Sequence, residues 1–203
     1  MRHPNHLAAT LLFAALAAMA ATAADAHSKK REAKAHVHGR GTLAIVVEGN
    51  TVGLELSVPA HDIVGFEHAP KSAAQKSAVA EAEIKLGSIL TLVKVPEAAG
   101  CTIAKSAVQM EQDEADASAK SGKHDHSHGH GHSHDHGEGG HAEFKATYEL
   151  ACSDARALTS LAFPYFAAFP KAEALTVTVV TAKGQAQYEV TRTRTQLDLA
   201  GAG

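Results

Sequence analysis

Residues 41–59 read GTLAIVVEGNTVGLELSVP. Two runs alternate in polarity around a central Gly49-Asn50. In the first, Leu43, Ile45 and Val47 point one way. In the second, Val52, Leu54, Leu56 and Val58 share a face. Successive side chains of a strand point to opposite sides, so each run predicts a strand with one buried face. The two residues between them, glycine first, suit a tight primed turn. The segment therefore reads as a β-hairpin, ended by Pro59.

After the hairpin the period changes. Ser72-x-x-Gln75 has the capping-box pattern, and Val79, Ala82, Leu86, Ile89 or Leu90, and Val93 recur every three or four residues. An amphipathic helix is expected over 72–93, weakened at Gly87 and unable to pass Pro96. CTIAKSAVQM (101–110) and AEFKATYELAC (142–152) both read as strands. If they pair antiparallel, a register with Met110 opposite Glu143 also sets Cys101 opposite Cys152. Directly opposed residues lie within disulfide range. These are the chain's only cysteines. A lone pair in an exported protein is most simply a disulfide, with a two-thiolate metal site as the alternative. Beyond Cys152, Ser153 or Asp154 can cap a short helix containing Leu158 and Leu161. FPYFAAFP (163–170) is a proline-bracketed turn, and ALTVTVVT, AKGQ and AQYEVTRTRT form a last hairpin. The element order is ββαβ, a long insert, then βαββ. This predicts an α+β fold: antiparallel sheet with one or two helices on a face, interrupted by a disordered His-rich loop.

The two ends of the chain and the insert fall outside that core. MRHPNH followed by the apolar LAATLLFAALAAMAATA reads as a secretory signal peptide over 1–26, with cleavage after Ala24-Asp25-Ala26. Ala21-Thr22-Ala23 is a second possible cleavage site, and an uncleaved anchor is the other reading of the run. Export implies the periplasm, with no membrane association after cleavage. The N-terminal half then spans 27–110, the acidic and His-rich loop 111–141, and the C-terminal half 142–203. Aromatics make up only 4% of the chain and Trp is absent, so the core must be aliphatic with a few Phe. A net charge of −3 with His neutral argues against a nucleic-acid partner, which needs a concentrated basic face.

Residues 124–141 read HDHSHGHGHSHDHGEGGH. Eight of the chain's fifteen histidines lie here: His124, His126, His128, His130, His132, His134 and His136, then His141. Nothing in the stretch could join a core, so it cannot offset its ordering entropy and is expected to be disordered without a ligand. Neutral imidazole is a good ligand for zinc, copper and nickel. At three or four His per tetrahedral site, the segment supports about two zinc ions. The composition alone does not select Zn2+ over Cu2+ or Ni2+. A flexible site suits capture or buffering and not catalysis, which needs a fixed open position. Neither a His-Glu-x-x-His helix nor a nucleophile-elbow glycine pattern is present, so no enzyme activity is read from the chain.

A second set of ligands lies in the folded part. In HVHG, His36 and His38 share one face of an extended chain and can reach one ion; the alternative is a pair of surface leader residues. HDIVGFEH (61–68) offers His61, Asp62, Glu67 and His68, and His141 and Glu143 open the strand after the insert. At this point HVHGRGTLAIVVEGNTVGLELSVPAHDIVGFEHAP (36–70), HAEFKATYELAC and FPYFAAFPKAEALTVTVVTAKGQ resemble the ZrgA-like family of periplasmic zinc-binding proteins. The likeness runs over essentially 36–199. It implies zinc acquisition in the bacterial periplasm beside components of an ABC importer. It marks His36, His38, Glu67 and His68 as family-motif positions. The sequence departs from the motif at His61-Asp62, where an Asn-type residue is the family expectation. A metallochaperone or buffer for nickel or copper is the other function consistent with the ligands.

Overall fold

The computed structural model describes residues 37–112 and 141–200. Residues 1–26 (expected to be a signal peptide), His36, the acidic segment from 113 and His124–His136 lie outside the described residues.

The hairpin is present as β1 (Arg40–Glu48) and β2 (Thr51–Pro59), joined at Gly49, whose φ is 58°. Leu43 faces Leu56, Ile45 faces Leu54 and Val47 faces Val52. The alternation read from the sequence therefore becomes one continuous apolar face. That face extends through β4 (Ala142–Ala151) on the far side of β2 and β6 (Ala174–Thr181) beside β1. Each row then crosses four strands, as in Val177, Leu43, Leu56 and Ala146. β3 (Thr102–Gln112) adds to β4, and β7 (Gly184–Thr191) to β6, giving the order β3-β4-β2-β1-β6-β7. All pairings are antiparallel except β1 with β6, which is parallel. The class is thus α+β with a mostly antiparallel sheet, and both halves of the chain contribute neighbouring strands to it.

The opposite face carries Ala44, Val46, Glu55 and Thr147, none of them buried. The apolar face is covered by α1 (Ala60–Val64), α2 (Ala73–Gly87) and α3 (Ile89–Leu92), and by α4 (Tyr165–Ala168) within the proline-bracketed segment. The Ser72–Gln75 capping box forms in both directions: Gln75 N–H donates to Ser72 Oγ at 3.1 Å, and Ser72 N–H to Gln75 Oε1 at 3.1 Å. The expected single helix to Val93 is interrupted at Ser88. Gly87 is a weak helix former, and the exposed carbonyls at this end find side-chain donors. Tyr148 Oη donates to Leu86 O at 2.9 Å and Ser106 Oγ to Gly87 O at 3.2 Å. The break re-aims the chain so that Ile89, Leu92 and Val93 are all buried.

Two further expectations are corrected. The helix expected to hold Leu158 and Leu161 is a single 3-10 turn, Ala155–Ala157, capped by Asp154, whose Oδ1 accepts from the Arg156 N–H. Leu161 instead sits in β5 (Ser160–Ala162), opposite Leu197 of β8 (Gln196–Asp198), a strand the sequence reading did not foresee. Pro164 follows too closely for a helix to develop, and it disfavours helical dihedrals at Phe163. The β3–β4 register is also shifted by one: Met110 faces Phe144, not Glu143. A bulge between Ile103 and Lys105 absorbs the extra residue, so Thr102 faces Ala151 and the strands end with the two cysteines together. Cys101 and Cys152 form the expected disulfide, with an S–S distance of 2.06 Å. The shift keeps Met110 on the face where Phe144 is buried, and a slip of one residue would reverse it. Among the described residues, no helix is long and apolar enough to cross a membrane.

Candidate metal centre

The polar residues of interest gather where β1 begins, β2 ends and β4 begins. Arg40 pairs with Ala174 there, and Pro59 with Glu143. The HVHG turn enters β1 with Gly39 at φ 80°, a conformation that L side chains rarely adopt. A Cβ at Gly39 would also lie 2.9 Å from Cγ of Glu173. The turn is fixed by Asp62 of α1, which is buried at 3% exposure. Both carboxylate oxygens accept from the Gly39 N–H, at 2.8 and 3.0 Å. Burial pushes the Asp62 pKa upward. The Gly39 hydrogen bond, His61 and His38 pull the other way without overcoming it.

Glu67 is the second anchor. Its Oε2 lies 3.2 Å from His141 Nδ1 and its Oε1 lies 2.9 Å from His38 Nε2. The His141 contact is a directed hydrogen bond. The His38 contact is close but off line, so Oε1 remains a buried oxygen without a directional partner; His61 Nδ1 is another such atom. Burial alone would raise the Glu67 pKa, but the two imidazoles outweigh it and hold the carboxyl below its ordinary value. His61 stacks on His38, with ring centroids 4.6 Å apart and planes 15° from parallel. His61 Nδ1 also lies 3.6 Å from Asp62 Oδ1. The carboxylates are inside, with side-chain exposures of 2% for Asp62 and 16% for Glu67; the rings of His38 and His141 are exposed by 56% and 54%.

Of the sequence-derived candidates, His38, His61, Glu67 and His141 therefore come together. His68 faces elsewhere: its ring stacks on Phe66, its Nδ1 lies 2.9 Å from Ala69 O, and its Nε2 lies 3.4 Å from Gln75 Nε2. His36 and His124–His136 lie outside the described residues. Among the described residues, no three or more His, Cys, Asp or Glu side chains are already arranged to hold one metal ion. The anchoring role of Asp62 was not evident from sequence. Its signal was indirect: the glycine of HVHG implies a strained turn, and a strained turn with a free N–H needs a fixed acceptor.

Imidazoles set around a buried carboxylate have the ligand chemistry of a site for a borderline divalent ion such as zinc. The sequence pattern of the ZrgA family of zinc uptake proteins matches residues 35–199, and the chain belongs to that family. The match spans both strands of the hairpin, the whole cluster and β8. No individually curated protein matches the chain.

Proposed function

We propose that this chain is a periplasmic zinc-capture protein that gathers zinc on its His-rich insert, holds one ion at the folded cluster and passes it to an ABC importer. The observation that carries this reading is the convergence of His38, His61 and His141 on Glu67 and Asp62 at the point where the insert joins the sheet. Gln112 at the end of β3 and Ala142 at the start of β4 are paired, so both ends of the insert leave from beside the cluster. A ring that ligates zinc through one nitrogen commonly donates the other N–H to a carboxylate, which fixes its tautomer and orientation. Glu67 serves that role here. With Nε2 of His38 and Nδ1 of His141 turned to Glu67, His38 Nδ1 and His141 Nε2 are left to bind zinc. Small ring rotations about the fixed carboxylate then convert the present arrangement into a site. His61, stacked on His38, is the third imidazole within reach.

The insert contributes capacity. Its composition is rich in His and Gly, so each ion bound there is expected to order several residues and to be held less tightly than at the cluster. Signal-peptide cleavage near Ala26 delivers the protein to the compartment where a Cys101–Cys152 disulfide persists.

The test is a calorimetric zinc titration of the mature protein and of a variant lacking 124–136. The variant is expected to lose most bound zinc, keep about one ion, and unfold at nearly the same temperature. Loss of all binding would leave the folded cluster without a metal role. Induction of the gene by zinc starvation supports uptake, whereas induction by excess nickel or copper would favour the buffering function.

A further inference from the structure

At the opposite end of the same sheet, beneath the Gly49–Asn50 turn, lies a cavity of about 380 Å³. The sheet supplies its floor, including Ile45, Val52 and Val179; α3 and the segments after it supply the roof, including Leu90 and Leu161. The recess opens to solvent on one side, and its lining is chiefly aliphatic. This volume falls within the roughly 300–1,000 Å³ of small-ligand sites. The lining is selective in what it omits. Among the described residues, no aromatic ring and no carboxylate contributes to it. A planar aromatic ligand would therefore find no stacking partner, and a cation would find no counter-charge.

The exposed lining residues mark the mouth, and among the described residues the charged ones there are Arg156 and Lys183. Arg156 is engaged by Asp154, Nε to Oδ1 at 2.9 Å. Lys183 has no ion-pair partner among the described residues, and among them its ammonium is the unpaired charge at the opening. An aliphatic interior with one cation at its entrance is complementary to an unbranched chain ending in an anion. We propose that this cavity binds one free fatty carboxylate, with its chain among Ile45, Val52, Leu90 and Val179 and its carboxylate at Lys183. The site shares no residue with the zinc cluster, so it stands or falls independently of that assignment.

The experiment uses the delipidated mature protein and calorimetric titration with laurate, dodecanol and phosphatidylglycerol vesicles. Laurate is expected to bind saturably at one per chain. Lys183→Glu should weaken laurate by about fivefold, the upper end for an exposed ion pair, and leave dodecanol unchanged. Leu90→Trp, which places an indole in the cavity from a half-exposed position on α3, should abolish laurate binding while zinc stoichiometry is retained. If that variant does not fold, the Lys183→Glu comparison alone decides. Absence of saturable laurate binding, equal effects of Lys183→Glu on laurate and dodecanol, or binding to vesicles without binding to laurate would each overturn the proposal.

Discussion

Where β1 starts and β2 stops, the sheet ends in buried carboxylates and half-exposed imidazoles; where the two strands are joined, it ends in aliphatic side chains and the Cys101–Cys152 disulfide. The first end is held by a few directed contacts, chiefly Gly39 N–H to Asp62 and His141 to Glu67, with His38 close beside the same carboxylate. The second is held by a covalent link and non-directional burial. Directed contacts can fix ring orientation to within what metal ligation requires, but each contributes little net stability in water. A cross-link acts mainly on the unfolded chain and is indifferent to orientation. The division implies that changes at one end should affect metal handling and changes at the other should affect folding.

The largest expected effect is on folding. Replacing Cys101 and Cys152 by Ser opens a link spanning a sequence separation of 51. In the chain-entropy model this costs about 4 kcal/mol, which should appear as a marked drop in unfolding temperature. Zinc stoichiometry of the folded fraction should not change, because the cluster lies at the other end of the strands. A large loss of zinc with little loss of stability would break the division.

Asp62→Ala is next. It leaves the Gly39 N–H buried without an acceptor, a cost of about 1–3 kcal/mol. It also frees the HVHG turn, so the affinity of the tighter zinc class should fall while capacity on the insert remains. Urea unfolding and zinc titration of the same variant check both parts. Unchanged affinity would show that His38 needs no fixed turn.

The smallest effect concerns acid. In metal-free protein, Glu67 has a lowered pKa in the fold, so it contributes stability above its ordinary value of 4.5 that is lost as pH falls through the folded value. Asp62, with a raised pKa, has the opposite sign: its contribution is complete below 3.8 and is lost as pH rises through its folded value. Glu67→Gln should therefore flatten the decline in stability on the acid side of pH 4.5, measured by urea midpoints across pH. A steeper decline in the variant would contradict the ion-pair role of Glu67.

Much of the architecture was legible because the hairpin and β4 bury one face and expose the other; period-two patterning then specifies both the element and its orientation. The capping box located the start of α2 because both partners are local in sequence. The features that were missed depend on distant partners. The helix break at Ser88 is supported by Tyr148 and Ser106, far along the chain. The bulge near Ala104 answers to burial on β4, and β8 acquires its identity only from pairing with β5. The parallel β1–β6 contact is likewise invisible to local patterning. In the candidate site, ligand types showed which residues have suitable chemistry but not which would meet. His61 and His68 flank the same short segment, yet one stacks on His38 and the other on Phe66.

On this reading zinc binds at the rings gathered by Glu67 and Asp62. The most direct test is NMR of the imidazole nitrogens in the protein lacking 124–136, followed through a zinc titration to one equivalent. The account predicts that His38 Nδ1 and His141 Nε2 shift as ligating nitrogens, with their other nitrogens remaining protonated toward Glu67, while His68 is unaffected. Zinc-dependent shifts confined to His68, or no shift at His38 and His141 at one equivalent, would contradict it.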